Sequence, residues 1–286
     1  MKHRLNVWVI GGDLRQVRLA ELLRREGHTV HIYALDRVAE DCETTLESVR
    51  LADCVVLPLP TAGSGSLLNT PLSHTEHPLA GVLDALRPGQ VICAGKVDPN
   101  TAALAAERGL VLHDYFAREE LAVANAVPTA EGAIQIAMEE LPITIHGARV
   151  LVIGCGRVGK LLAHRMRALG AKVSLSGRKC ADLAWIEAHD FCVEHTEELD
   201  GWLCSYDLVV NTVPARVLGV ERLSELKEGC LVIDLASKPG GVDLEAARQL
   251  GVKVAWALSL PGKVAPVTAA RALWTTICNI LREEGL

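Results

Sequence analysis

Aromatic residues are scarce in this sequence: two phenylalanines, three tyrosines and five tryptophans make up 3% of 286 positions. Beside 24 glycines and abundant Ala, Val and Leu, that shortage disfavours sandwiches and barrels and points to alternating strands and helices. A basic excess is missing too. Twenty-nine Lys and Arg face 35 Asp and Glu, a net charge of −6, which excludes the cationic stripe that nucleic-acid backbones require. No stretch approaches the ~18 apolar residues of a membrane span. The apolar run behind Lys2, His3 and Arg4 covers only residues 5–10, too short for the core of a secretory signal. None of the nine scattered cysteines forms a C-x-x-C pair, so a disulfide scaffold and a zinc knuckle are excluded and a reducing, cytoplasmic setting is expected. His74 and His77 in HTEH have no third ligand nearby and no HExxH frame, and read as a solvated loop.

What is present is strand-then-helix grammar, given twice. Over the first 115 residues, apolar runs at 5–10, 29–33, 54–57, 90–93 and 110–112 alternate with helical stretches at 14–26, 76–86 and 101–108. Four or five parallel strands follow. Residues 116–141 read as a long helix pair, interrupted at Pro128, where proline kinks or ends a helix. The second half restarts at 149–153 and continues with strands at 172–175, 191–193, 208–211, 231–235 and 253–255, enough for a doubly wound sheet. The segment 267–282 is apolar at helical spacing and is expected to return to the first domain. The fold class is therefore α/β, with two lobes, each a mostly parallel sheet flanked by helices. Its expected divisions are a flavodoxin-like substrate domain at 1–142, a Rossmann dinucleotide-binding domain at 143–262, and a terminal helix at 263–286. A ligand cleft is expected between the lobes.

The strongest local motif is a strand followed by Gly154-Cys155-Gly156-Arg157-Val158-Gly159 and an amphipathic helix. In a GxGxxG turn the first glycine makes the bend, the second admits the pyrophosphate and the third lets helix and strand approach. The helix N-terminus receives the phosphate charge. An NAD site carries Asp or Glu about 20 residues on, at the end of the second strand. Here that end reads Ser176, Gly177, Arg178, Lys179, a hydroxyl and two cations suited to a 2′-phosphate. NADP is the expected cofactor, with NAD as the alternative. The first strand of the chain ends differently, in Gly11-Gly12-Asp13 with Arg15 and Gln16 in the first helical turn. Gln16 stands where the third glycine belongs, so the turn suits a carboxylate more than a dinucleotide, unless Asp13 simply caps the helix. Asp36, at the end of the next strand, is structural on this reading.

Ligands of parallel sheets lie outside the carboxyl ends of the strands. The loops placed there carry Lys96, then Asn125, Thr129 and Glu131, then Ala236, Ser237 and Lys238, and finally Lys263.

Taken in order, GGDLRQ, NAVPTAEGAIQIAMEE, GCGRVGKLLAHRMRALGA, NTVP, DLASKPGGVD and LPGKVAPVTAA resemble the family of dipicolinate synthase A chains nearly end to end. The resemblance implies NADP-dependent oxidation of a dihydro- or 4-hydroxytetrahydro-dipicolinate intermediate of the lysine pathway to pyridine-2,6-dicarboxylate. It implies as well the mother cell of a sporulating bacterium and, as partner, the second, flavoprotein-like subunit of dipicolinate synthase. On this basis one substrate carboxylate is expected at Gly12, Asp13, Arg15 and Gln16 and the other at Asn125 and Thr129, with Ser237 and Lys263 nearby. The nicotinamide is expected beside Asn211–Pro214 and Ser237–Gly241, and Lys238 or Glu131 is the candidate base. Two alternatives remain open. One is a two-domain 2-hydroxy or 2-amino acid dehydrogenase, although the hydroxyacid type needs a late catalytic histidine and none follows His195. The other is a non-catalytic NADP-binding subunit. Trp185, Trp202 and the terminal helix leave room for a homodimer face.

Overall fold

The structure is a computed structural model that describes residues 4–286, so Lys2 and His3 lie outside the described residues. It divides into two compact units, one made of the chain up to Asn125 together with Pro261–Leu286, the other of Ala126–Leu260. Among the described residues no helix is long and apolar enough to cross a membrane.

The first unit is built on five parallel strands: β1 (Asn6–Ile10), β2 (Thr29–Tyr33), β3 (Cys54–Val56), β4 (Val91–Ala94) and β5 (Leu112–Asp114), in the order β2-β1-β3-β4-β5. Because side chains alternate along a strand, each strand feeds two cores. Val7 and Val9 of β1 face α1 (Leu14–Arg25) and the terminal helix α10 (Pro266–Glu283), whereas Trp8 and Ile10 face α2 (Leu79–Ala85) and α3 (Pro99–Ala106). On α10 the residues Ala270, Leu273, Trp274, Ile277, Ile280 and Leu281 form the buried stripe. Trp274 also donates its indole N–H to Glu26 at 2.7 Å.

The second unit has six parallel strands: β6 (Arg149–Ile153), β7 (Lys172–Gly177), β8 (Cys192–His195), β9 (Leu208–Asn211), β10 (Leu231–Asp234) and β11 (Lys253–Trp256). Their order, β11-β10-β9-β6-β7-β8, is the doubly wound dinucleotide-binding arrangement. The helix α5 (Arg157–Ala168) covers one face with Leu162, Ala163 and Met166, and α8 (Leu244–Leu250) covers the other with Ala246 and Ala247.

The expected helix pair over 116–141 is one helix, α4 (Glu119–Glu140), with Pro128 inside it. An internal proline removes one hydrogen bond and crowds the preceding turn, a cost of about 3 kcal/mol. Packing on both sides of it offsets that cost: Leu121 belongs to the core of the first unit, while Ala130, Ala133, Ala137 and Leu141 belong to that of the second. The division between units accordingly falls within α4 rather than at residue 142.

The HTEH segment is held to β2 by a polar chain. Ser73 donates to Asp36 at 2.7 Å and lies 3.0 Å from His77 Nε2, and His77 Nδ1 lies 3.2 Å from the Tyr33 hydroxyl. His77 is therefore half-buried, and burial favours its neutral form. Among the described residues no three His, Cys, Asp or Glu side chains are grouped to hold a metal ion.

Two outcomes follow. Trp274→Ala removes a buried ring and its hydrogen bond, and urea denaturation should show the first unit destabilised by about 3–5 kcal/mol. The Ser73 hydroxyl and the His74 amide hold the Asp36 carboxyl down at about 2, from the usual 3.8. A carboxyl lowered in the folded state stabilises it above the ordinary value, and that contribution is lost as pH falls toward 2. Asp36→Asn should flatten the loss of stability between these two pH values, and an unchanged acid transition would exclude the role.

Candidate functional site

Parallel pairing carries all the strand ends of the second unit to one edge. One register row crosses the sheet there, Ser176–Ile153–Asn211–Asp234–Trp256, and the loops that follow it carry the site. The topological switch lies between β6 and β9, where a parallel sheet opens its crevice.

The loop after β6 is the glycine turn. Gly154 has φ +104, and a Cβ there would stand 2.5 Å from Thr212 Oγ1. That hydroxyl donates to the Ile153 carbonyl at 2.9 Å, tying the β9 loop to the turn. A Cβ on Gly159 would stand 1.8 Å from the Gly154 carbonyl oxygen, so only glycine lets α5 start this close to β6. Gly156 is the N-cap of α5 and faces open space, with no side chain capping the helix. The first turn of α5 is thus turned outward and able to receive an anion. Cys155 is buried within the turn, and burial pushes its thiol up. Arg157 is exposed and Val158 half-buried.

At the end of β7, Ser176 is fully buried and its hydroxyl lies 2.9 Å from that of Thr196. It is therefore turned into the sheet. Arg178 and Lys179 are exposed just beyond it, with Lys179 as the N-cap of α6 (Cys180–Ala188). A dinucleotide fits this arrangement: glycine where a Cβ would block it, an open helix end for the pyrophosphate, and two cations at the end of the second strand.

The loops after β9 and β10 are joined by a buried pair. Asn211 donates to Asp234 Oδ1 at 2.8 Å and to the Val213 carbonyl at 3.0 Å, and it accepts from the Val213 amide at 3.1 Å. Asp234 is 1% exposed and accepts from the amides of Ala236 at 3.1 Å and Gly241 at 2.8 Å. Trp256 donates its indole N–H to the Ala236 carbonyl at 3.0 Å. Ser237 and Lys238 lie exposed between these anchors. Asp234 and Trp256 have no role in the sequence reading, although Asp234 opens the DLASKPGG motif and its place at a strand end was visible.

In the first unit the Gly11–Gln16 turn is closed by its own side chains. Asp13 caps α1 by accepting from the Arg15 amide at 2.9 Å, while Gln16 Oε1 accepts from the Asp13 amide at 3.1 Å. The amides of Gly11 and Gly12 donate to Tyr33 and Asn69. Arg15 is only 7% exposed; its Nη2 meets Asp13 at 2.7 Å and the Leu59 carbonyl at 3.1 Å. The carboxylate at this helix end is that of Asp13. A Cβ on Gly262 would stand 3.0 Å from Arg15 Nε, so Gly262 lies on the same pair, with Lys263 exposed beside it.

Asn125 and Thr129 are half-buried, four residues apart on α4 and so on one face. Glu131 is more than half exposed and lies 3.8 Å from Arg165, in the last turn of α5. Eight residues at 1.5 Å each separate Arg157 from Arg165, about 12 Å of helix, so the structure does not bring Glu131 to the glycine turn. Trp202 is 66% exposed. Trp185 is stacked on His189 with ring centroids 3.8 Å apart, and Lys160 lies 4.3 Å from its ring centroid.

Comparison with known proteins adds the family. Residues 6–116 match the N-terminal domain of the dipicolinate synthase A chain, and residues 115–246 match the NAD-binding domain of D-isomer specific 2-hydroxyacid dehydrogenases. The A chain of dipicolinate synthase from Bacillus subtilis (strain 168) is 32% identical, over 98% of this chain and 96% of that protein. The crystal structure of the Bacillus subtilis dipicolinate synthase A chain superposes with a TM-score of 0.87, covering 100% of this chain and 98% of that one. That of its counterpart from Bacillus halodurans, 31% identical, also gives 0.87, with 97% of each chain covered. With a Rossmann unit, an open glycine turn and this similarity along its whole length, the chain is an NAD(P)-dependent oxidoreductase and belongs to the family of dipicolinate synthase A chains.

Proposed function

We propose that this chain oxidises a cyclic dihydro- or 4-hydroxytetrahydro-dipicolinate to pyridine-2,6-dicarboxylate with NADP, accompanied by a second, flavoprotein-like subunit. The observation that carries the reading is the start of α5, with a glycine N-cap and no capping side chain, behind Gly154 and Gly159 in a member of this family. Backbone amides in the first turn of α5 receive the pyrophosphate. Arg178 and Lys179, exposed at the end of β7, receive the 2′-phosphate. When bound, the dinucleotide supplies a two-electron acceptor for the hydride leaving the substrate ring. Aromatisation of that ring favours the product side.

The substrate is a flat dianion, and the chain meets it with charge and with shape. Lys238 is the cation of the loop after β10, and its ammonium pairs with one carboxylate. Asn211, through its hydrogen bonds to Val213, holds the NTVP segment that borders the reacting ring. Thr212 is committed to the Ile153 carbonyl and keeps that segment against the glycine turn. The proton released with the hydride passes to solvent, and the 4-hydroxytetrahydro form also loses its hydroxyl as water.

The test is a single assay that follows aromatic product and NADPH together, with enzymatically generated precursor, for this chain alone and with the second subunit. Both signals are expected to rise, and Lys238→Met is expected to raise KM for the precursor while leaving NADPH affinity in place. Absence of product under both conditions, or a KM for the precursor unchanged by Lys238→Met, rejects the corresponding part of the reading. Arg178→Asp removes the cation and adds a carboxylate, so it should weaken NADP more than NAD in titrations of the two cofactors. An unchanged ratio of affinities would reject the 2′-phosphate assignment.

A further inference from the structure

Both carboxylate oxygens of Asp234 are taken up by the chain itself. Oδ1 accepts from Asn211 Nδ2 and the Ala236 amide, and Oδ2 accepts from the Gly241 amide. The two loops packed around this carboxylate have no spare room. A Cβ on Gly240 would stand 2.9 Å from Asp234 Oδ2, and one on Gly241 would stand 2.1 Å from Asn211 Nδ2 and 2.7 Å from the Val213 carbonyl. Each end of the loop after β10 has a second tether as well. Trp256 Nε1 donates to the Ala236 carbonyl at 3.0 Å, and the amides of Val217 and Leu218 donate to the Gly241 carbonyl at 2.9 and 3.0 Å. Between these tethers stand Ser237, Lys238 and Pro239, all exposed. A loop clamped at both ends with a three-residue exposed apex has its apex placed by the clamp.

We infer that Asp234 is a positioning residue. It holds the Asn211–Pro214 and Ala236–Gly241 segments in register, and so sets where Ser237 and Lys238 stand toward a bound nicotinamide and its substrate. The inference rests on the function proposed above. It concerns geometry at the reacting end of the cofactor rather than affinity, because the pyrophosphate and 2′-phosphate groups are met by the glycine turn and by Arg178, which Asp234 does not touch. Asn at this position keeps the size of the side chain but sets an amide NH2 against surrounding N–H donors. In a buried position the lost acceptor is not replaced by water.

The experiment uses the full chain carrying Asp234→Asn and, separately, Trp256→Phe, which deletes one tether and keeps most of the ring. In the cofactor-free chain, amide hydrogen exchange over 236–241 should accelerate in both variants. With NADPH, Asp234→Asn should leave the dissociation constant near that of the wild type while most of the enhancement of nicotinamide fluorescence is lost. Turnover should fall by about 100-fold, as small misplacements of reacting groups do, with KM for the cofactor preserved. Trp256→Phe should move each of these in the same direction by less. Unchanged exchange and fluorescence in both variants would overturn the inference, as would a loss of NADPH affinity that matches the loss of turnover. If Asp234→Asn does not fold, Trp256→Phe decides on the same readouts. A wild-type chain that forms no aromatic product would remove the substrate reading and leave exchange and nicotinamide fluorescence to decide the positioning role.

Discussion

The contact between Gly159 and the Gly154 carbonyl sets how close α5 stands to β6, since an added Cβ would lie 1.8 Å from that oxygen. At this spacing the first turn of α5 begins directly beyond the strand end, at the switch between β6 and β9. An oriented helix end with no capping side chain is an anion site in itself, because its first amides have no partner within the helix. The Thr212 hydroxyl and the Gly154 bend are built around the same contact, which is why the turn, the β9 loop and the cofactor edge form one assembly.

The two units repeat the same strand-turn-helix grammar and use it oppositely. Behind β6 the N-cap is Gly156, which presents no side chain to the helix end. Behind β1 the N-cap is Asp13, whose carboxylate serves the helix amide and the Arg15 guanidinium at once. A helix end held by a carboxylate of its own chain has its positive field already answered. Arg15 likewise spends its charge within the fold, on Asp13 and the Leu59 carbonyl. At the cap the two turns differ by one side chain.

Buried polar groups at the edge of the second sheet follow the same accounting. Asn211 and Asp234 face each other in register on neighbouring strands, and each satisfies the other and the loop that follows it. Such a pair costs desolvation, and it persists where every donor and acceptor finds a partner. The consequence is positional: the exposed Ser237–Lys238 segment hangs from a rigid base rather than from a free loop.

Much of the fold was legible because periodicity and glycine spacing are local. Residues 5–10 and 149–153, the GxGxxG turn and the apolar stripe at 267–282 each carried their own signal, and their alternation gives four or five strands plus six, of which the structure forms five and six. Pro128 misled for a tertiary reason: the helix through it is held by packing at Leu121 on one side and at Ala130, Ala133 and Ala137 on the other, which no local rule contains. The site was legible in outline, since a strand end names the loop that follows it. Which way a side chain turns there was not. Ser176 and Arg15 read as ligands and lie buried against Thr196 and Asp13. Glu131 stands beside the far end of α5, and Asp234 holds two loops from beneath. By itself the sequence determined the architecture and the dinucleotide turn, because these rest on spacing along the chain, and it pointed to the family through motifs that resemble those of its members. The tertiary structure alone decided which polar groups stay exposed at the strand ends and which face each other, because partners such as Asn211 and Asp234 are 23 residues apart and meet only when the sheet aligns them.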